Sequence, residues 1–205
     1  MTGLSVTAVG KLHRWLVYGR RARILANCLS DVLPRDARVL DVGCGDGSID
    51  VVIQANGRNI SILGIDVSVR PDAHVAVTKF DGTVIPFPED SFDVVMFVDV
   101  LHHMADPPTL LREAIRVARK AVVIKDHTLD GAFAYATLRF MDWVGNAHAG
   151  SAHQSCYWPE QRWRDVFDSL GLRVESWSSK LGLYPWPFSM VFERHLHFVA
   201  RLALA

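Results

Sequence analysis

Cysteine is scarce in this chain: Cys28, Cys44 and Cys156 stand far apart, with no CxxC pair and an odd total. That excludes a disulfide framework, leaves no thiol marked as a nucleophile, and is expected of a reducing compartment such as the cytoplasm. Net charge is missing too, since 22 Lys and Arg balance 22 Asp and Glu. Without a global field to gather a polyanion, nucleic acid is not expected as the main partner. No apolar run approaches the roughly 18 residues that a membrane span needs, and no block in residues 1–21 is long enough for a signal peptide. Repeats, low-complexity tracts and linkers are also absent.

Two familiar nucleotide motifs fail. The stretch RVLDVGCGDGSID, residues 38–50, packs Gly43, Gly45 and Gly47 behind an apolar run. A dinucleotide turn reads G-x-G-x-x-G/A, but the third glycine position holds Ser48 and the glycine arrives one residue early. A phosphate loop needs Lys-Ser or Lys-Thr after its last glycine, and neither follows. What stands here is D-x-G-x-G-x-G, from Asp41 to Gly47.

Around this turn the pattern alternates. Apolar spacing predicts a helix over 11–33, closed by Pro34, and another over 46–56 with Gly57 past its end. Short apolar runs predict strands at 38–42, 60–65, 75–80, 92–100 and 121–125, and Pro107 and Pro108 open a helix between the last two. Such alternation implies right-handed crossovers and a mainly parallel sheet covered on both faces. Beyond residue 128 helices are expected over 131–147 and 159–170, and two closing strands, antiparallel at one edge, over 172–177 and 190–200.

Three acids end three successive strands: Asp41, Asp66 in GIDVS and Asp81 in KFDG. Each alone reads equally well as a turn cap. Together with SFDVVMFVDVLHH they resemble, in order over residues 38–127, the class I S-adenosylmethionine-dependent methyltransferases of the small-molecule type. The resemblance implies a Rossmann-like three-layer α/β sandwich with a seven-stranded sheet, mainly parallel with an antiparallel edge strand, plus helical cap segments. One domain is expected over 1–205: an N-terminal helical segment to 34, a cofactor-binding core over 35–127, an aromatic cap over 128–163, and a closing part from 164.

By the same resemblance the cofactor is S-adenosylmethionine. Its methionine end would meet Asp41, the Gly43–Gly47 turn with Cys44 as small filler, Val98 and Asp99. Its ribose would meet Asp66 beside Val67, and its adenine Asp81 and Gly82. Helix N-termini and close-fitting glycine backbone suit an anionic carboxylate end.

Candidates for a base lie at the carboxyl ends of strands four and five: Asp99, His102, His103 and His127, with helix-start packing as the plain alternative for the two adjacent histidines. A histidine suits a hydroxyl acceptor because its ordinary pKa lies near working pH. Metal is not expected: His102 and His103 should diverge around a helical turn, and His195 with His197 on one strand face lacks a third ligand.

The acceptor is expected to be a small molecule, methylated at oxygen. Methylation at nitrogen or carbon, or a binding module without turnover, are the alternatives. The [D/N]PP[Y/F/W] signature of amino-methylating enzymes is absent after strand four, where DPPT at 106–109 comes late and lacks the aromatic. Tyr18, His148, His153, Tyr157 and Trp158 are candidates for the acceptor pocket. Phe133, Leu138 and Met141 are expected to face the sheet. The proline-stiffened cluster LGLYPWPFSM, expected to run extended, can bury at the sheet edge, pair two subunits into a homodimer, or touch a lipid-like acceptor.

Overall fold

A computed structural model describes residues 19–146 and 156–204. The candidates Tyr18, His148 and His153 lie outside the described residues. Seven strands form one sheet: β1 (Arg38–Val42), β2 (Ser61–Asp66), β3 (Val77–Lys79), β4 (Phe92–Val98), β5 (Ala118–His127), β6 (Arg173–Ser178) and β7 (His197–Ala203). Their order is β3-β2-β1-β4-β5-β7-β6. The first five are parallel, and β7 runs antiparallel to both β5 and β6. The antiparallel strand therefore lies one place in from the edge, and β6 forms the rim.

Helices cover both faces: α1 (Gly19–Val32), α2 (Ser48–Ala55), α3 (Pro107–Val117), α4 (Ala134–Asn146), α5 (Glu160–Ser169) and the single turn α6 (Ser189–Phe192). Alternation along the strands builds two cores. Leu40, Val42, Val95, Phe97, Val122 and Ile124 pack against α3 and α5, and Val39, Val94, Met96, Ala121 and Val123 pack against α1 and α2. The central strands are apolar on both faces because both are covered. No helix among the described residues is long and apolar enough to cross a membrane.

Several local expectations are corrected. The strand expected over 190–200 is instead α6, a turn, and β7 from His197. His195 adopts a φ of +62° outside the strand and its ring meets the Ser179 hydroxyl at 3.0 Å, so it shares no strand face with His197. The 184–188 stretch folds into a turn that leads into α6 instead of running extended. Phe133 sits in the turn before α4 with a φ of +62° and is exposed, whereas Leu138, one helical turn further on, is fully buried.

Because β1 leads to β2 on one side while β4 lies on its other side, the order reverses between β1 and β4. The crevice beyond their carboxyl ends is where ligands bind in open α/β sheets.

Candidate active site

The turn after β1 is fixed from β2. The N–H of Gly43 donates to the Ile65 carbonyl at 2.7 Å, and the N–H of Gly45 donates to Asp66 Oδ2 at 2.9 Å. Gly47 has a φ of +70° and begins α2; a Cβ there would lie 2.4 Å from Val75. Gly45 has a φ of +60°, yet a Cβ there would meet nothing within 4 Å. Gly47 is thus required by close packing as well as by conformation, whereas Gly45 lies open to the crevice.

Asp66 Oδ1 also accepts the Ser68 N–H at 2.8 Å, so its carboxylate is held rigidly at the tip of β2. Asp81 caps its own turn: Oδ1 accepts the N–H groups of Thr83 and Val84 at 2.7 and 2.8 Å. Those backbone donors hold its carboxyl below the ordinary value. The plain turn role is therefore real, and it leaves Oδ2 out of both bonds. Val67, exposed, stands opposite Gly82, where an added Cβ would come within 3.2 Å of its methyl. Asp41, at the base of the turn, is buried, and its Oδ1 has no hydrogen-bond partner among the described residues. Burial, then the neighbouring Asp50, push its pKa well up.

A buried carboxylate, an open glycine, a fixed acid at the next strand tip and, one strand on, Asp81 with Oδ2 outside its turn bonds fit a ligand with an ammonium end, a diol and a base bearing an amino group. S-adenosylmethionine has these parts in that order.

A second cluster gathers at the carboxyl ends of β4 and β5. Asp99, with a φ of +58°, turns its carboxylate to the buried Lys125 ammonium in a close ion pair and to Arg21 of α1 at 3.2 Å. Burial would raise the Asp99 pKa, but Lys125, His127 and Arg21 overcome it and hold it well below the usual value. Burial lowers the Lys125 pKa, with Asp99 opposing. His127 Nε2 lies 3.4 Å from Asp99, its Nδ1 3.3 Å from the Leu196 carbonyl, and its ring packs on His197 at 4.9 Å. Burial first and Lys125 second depress the His127 pKa strongly, so it stays neutral.

His102 differs. It lies in a 3-10 turn at Leu101–His103, and its Nδ1 meets buried Asp126 Oδ1 at 2.6 Å. Its backbone N–H also donates to Asp126 Oδ2 at 3.3 Å. Burial opposes its protonation, but the Asp126 carboxylate wins and raises its pKa. The chain returns over this turn at 156–158, where the Cys156 N–H donates to the His102 carbonyl at 2.6 Å. Tyr157 then stacks on His102 at 5.7 Å and donates to Asp142 of α4, whose other oxygen lies 3.9 Å from His102 Nε2. Trp158 faces away, into the core against Trp163 at 4.8 Å.

The rings of His102 and His103 do not diverge as expected; their centroids are 3.9 Å apart. Asp126 draws the His102 ring back over the turn, and the His103 ring lies across it. In consequence Asp99, His102 and His127, and likewise His102, His103 and Asp142, each bring ligand atoms within 4.8 Å of one another.

No sequence feature gave a definite role to Asp50, Lys125, Asp126 or Asp142. A detectable signal existed for two of them: Lys125 and Asp126 are charges at the end of a run, AVVI, that is otherwise wholly apolar.

Comparison with known proteins agrees with this geometry. The description of a methyltransferase domain family matches residues 17–177. Among curated proteins, 27-O-demethylrifamycin SV methyltransferase of Amycolatopsis mediterranei is 33% identical over 110 residues, covering 46% of this chain and 40% of that protein. The 2-methyl-6-phytyl-1,4-hydroquinone methyltransferase of Synechocystis is 31% identical over 104 residues, 46% of this chain and 32% of that protein. The matches thus span less than half of either relative. A solved SAM-dependent methyltransferase from Thermotoga maritima superposes with a TM-score of 0.66 at 20% identity, covering 96% of each chain, and shows the shared fold.

Proposed function

The chain belongs to the methyltransferase domain family, and on that premise we propose that it moves a methyl group from S-adenosylmethionine to a hydroxyl oxygen of a small molecule. One observation supports oxygen most: a buried His102–Asp126 pair at the crevice end of β4 and β5, with Nδ1 engaged, Nε2 turned towards Asp142 and Tyr157 stacked on the ring.

The sulfonium donor supplies a methyl group that is already electrophilic, so the protein's share is binding, alignment and removal of a proton. Asp41 would receive the ammonium, the amide groups of the turn the carboxylate, Asp66 the ribose hydroxyls, and Asp81 with Gly82 the adenine edge. Asp99 borders this end and is kept ionised by Lys125 and Arg21. His102, as general base, takes the acceptor's proton on Nε2 while Asp126 stabilises the imidazolium that forms. Tyr157 and Asp142 line the same place and orient the acceptor hydroxyl. His127, buried and neutral, has the poorer position for a base: Nδ1 and Nε2 both face fixed partners.

The test is a donor-consumption screen over phenols, sugars, lipids and small amines, run with the native protein and His102→Gln. Turnover of a hydroxyl compound, lost in the variant while donor affinity holds, supports the proposal. Turnover confined to amines, or unaffected by the substitution, contradicts it. Donor binding with no turnover of any class would favour a binding module.

A further inference from the structure

We propose that Asp50 joins Asp41 in a proton-sharing carboxylate pair beneath the glycine turn, and that this pair takes the ammonium of the bound donor in exchange for its proton. The inference rests on the donor assignment above and adds a residue and a proton to it.

Asp50 is the third residue of α2 and fully buried, and among the described residues neither of its carboxylate oxygens has a hydrogen-bond partner. Asp41 Oδ1 is in the same state at the end of β1. The turn between them doubles back and sets the two carboxylates beside one another. Each brings acceptors only, so the contact is closed by a proton; two ionised carboxylates cannot share such a site.

The surroundings work in the same direction. Asp66, from β2, bears on Asp41, and Asp46, in the turn, bears on Asp50, each opposing a further negative charge there. Asp46 Oδ1 accepts the Ser48 N–H at 3.0 Å, a bond that helps to lower its pKa against the effect of burial. The Cys44 thiol, pushed up by burial and then by these acids, stays neutral. From α1, apolar side chains pack on α2, and the hydrogen bonds of Asn56 to Asn27 and Ser30 are neutral. Burial carries Asp50 up to about 7, with the Asp41 contact opposing, so the pair titrates near neutrality. An arriving ammonium supplies the missing positive charge and the missing donors, and the shared proton leaves to solvent. Atoms and charge balance: one ammonium in, one proton out.

Calorimetry tests this on the intact chain with two ligands: S-adenosylhomocysteine, which keeps the ammonium, and methylthioadenosine, which lacks it. Each is titrated at about pH 6.5, where an α-amino group is protonated, in phosphate and in imidazole, whose ionisation heats differ. The expected result is release of roughly half a proton or more with S-adenosylhomocysteine and none with methylthioadenosine, seen as a buffer-dependent heat for the first alone. Affinity for S-adenosylhomocysteine should rise towards tenfold per pH unit below the pair's pKa. In Asp50→Asn, whose amide can donate to Asp41, proton release and that slope should vanish while binding remains. Equal heats in both buffers, or equal release with both ligands, overturn the pair; this wild-type comparison stands whether or not the variant folds. Failure of both ligands to bind instead overturns the donor assignment, and the pair's role with it.

Discussion

Gly64→Ala should damage the donor site from behind without altering any residue that faces it. Gly64 lies in β2 between Asp41 of β1 and Val77 of β3, and its N–H donates to the Ala76 carbonyl at 2.9 Å. Its backbone is outside the left-handed region, so alanine is conformationally acceptable and would recover part of glycine's strand penalty, about 0.5–1 kcal/mol. The added Cβ, however, would stand 2.4 Å from Cys44 Sγ and 3.0 Å from Cys44 Cβ, while Val77 at 3.4 Å is an ordinary contact. Overpacking of this kind costs about 1–3 kcal/mol, so the net loss of stability should be about 1–2 kcal/mol. The sulfur can rotate aside, but the Cys44 Cβ can give only with the turn, and the donor's affinity should fall about tenfold, or about 1.4 kcal/mol. Cys44→Ala removes the sulfur and should return much of both losses. Urea unfolding and S-adenosylhomocysteine calorimetry on the four proteins of the cycle give the coupling, expected near 1 kcal/mol in each. Additive effects, or a Gly64→Ala protein with native affinity, would refute the claim that Cys44 is the packing link between β2 and the turn.

Asp66→Ala should weaken donor binding by more than about tenfold and cost about 1–2 kcal/mol of stability, since Gly45 and Ser68 lose their acceptor; calorimetry and urea unfolding read the two effects. The His102 pKa is raised, so turnover should climb as pH rises through a value above about 6.5 and should shift to lower pH in Asp126→Asn; a pH-rate profile checks both. Asp99→Asn leaves Lys125 buried without its counter-charge and should cost about 3 kcal/mol, with Lys125→Met in the same chain restoring most of it. Because the Asp99 pKa is depressed on folding, its contribution is full above the unfolded carboxylate value and fades as pH falls towards the folded one; the difference in unfolding free energy between native protein and Asp99→Asn should therefore shrink in acid.

What the sequence disclosed, and what it withheld, follows from the range of the interactions involved. The strands and the acids Asp41, Asp66 and Asp81 were legible because each acid abuts glycine or a turn within two or three residues of an apolar run. Asp50 was hidden: an acid in a first helical turn ordinarily faces solvent or caps, and its burial depends on how α2 rolls onto β1. Lys125 stood out as a charge in an apolar strand, but its partner is set by the pairing of Val98 with Lys125 across β4 and β5, which needs the strand order. His102 became distinguishable from His103 and His127 only once Asp126 and the returning Tyr157 were placed. The positive φ of Phe133 and His195 carries no sequence mark, since neither residue type announces a left-handed turn. For the strand expected over 190–200, apolar content concealed a break at Glu193–His195, where three polar residues end one element before β7 begins.

The central claim is that the turn at 43–47 and the acids at three strand tips hold the adenosyl donor. A crystal structure with S-adenosylhomocysteine tests it most directly. In that complex the amino-acid end should lie against Asp41 and the glycine turn, the ribose on Asp66 and the adenine edge at Asp81 and Gly82. Density for the ligand anywhere else, or contacts that bypass Asp66, would contradict it.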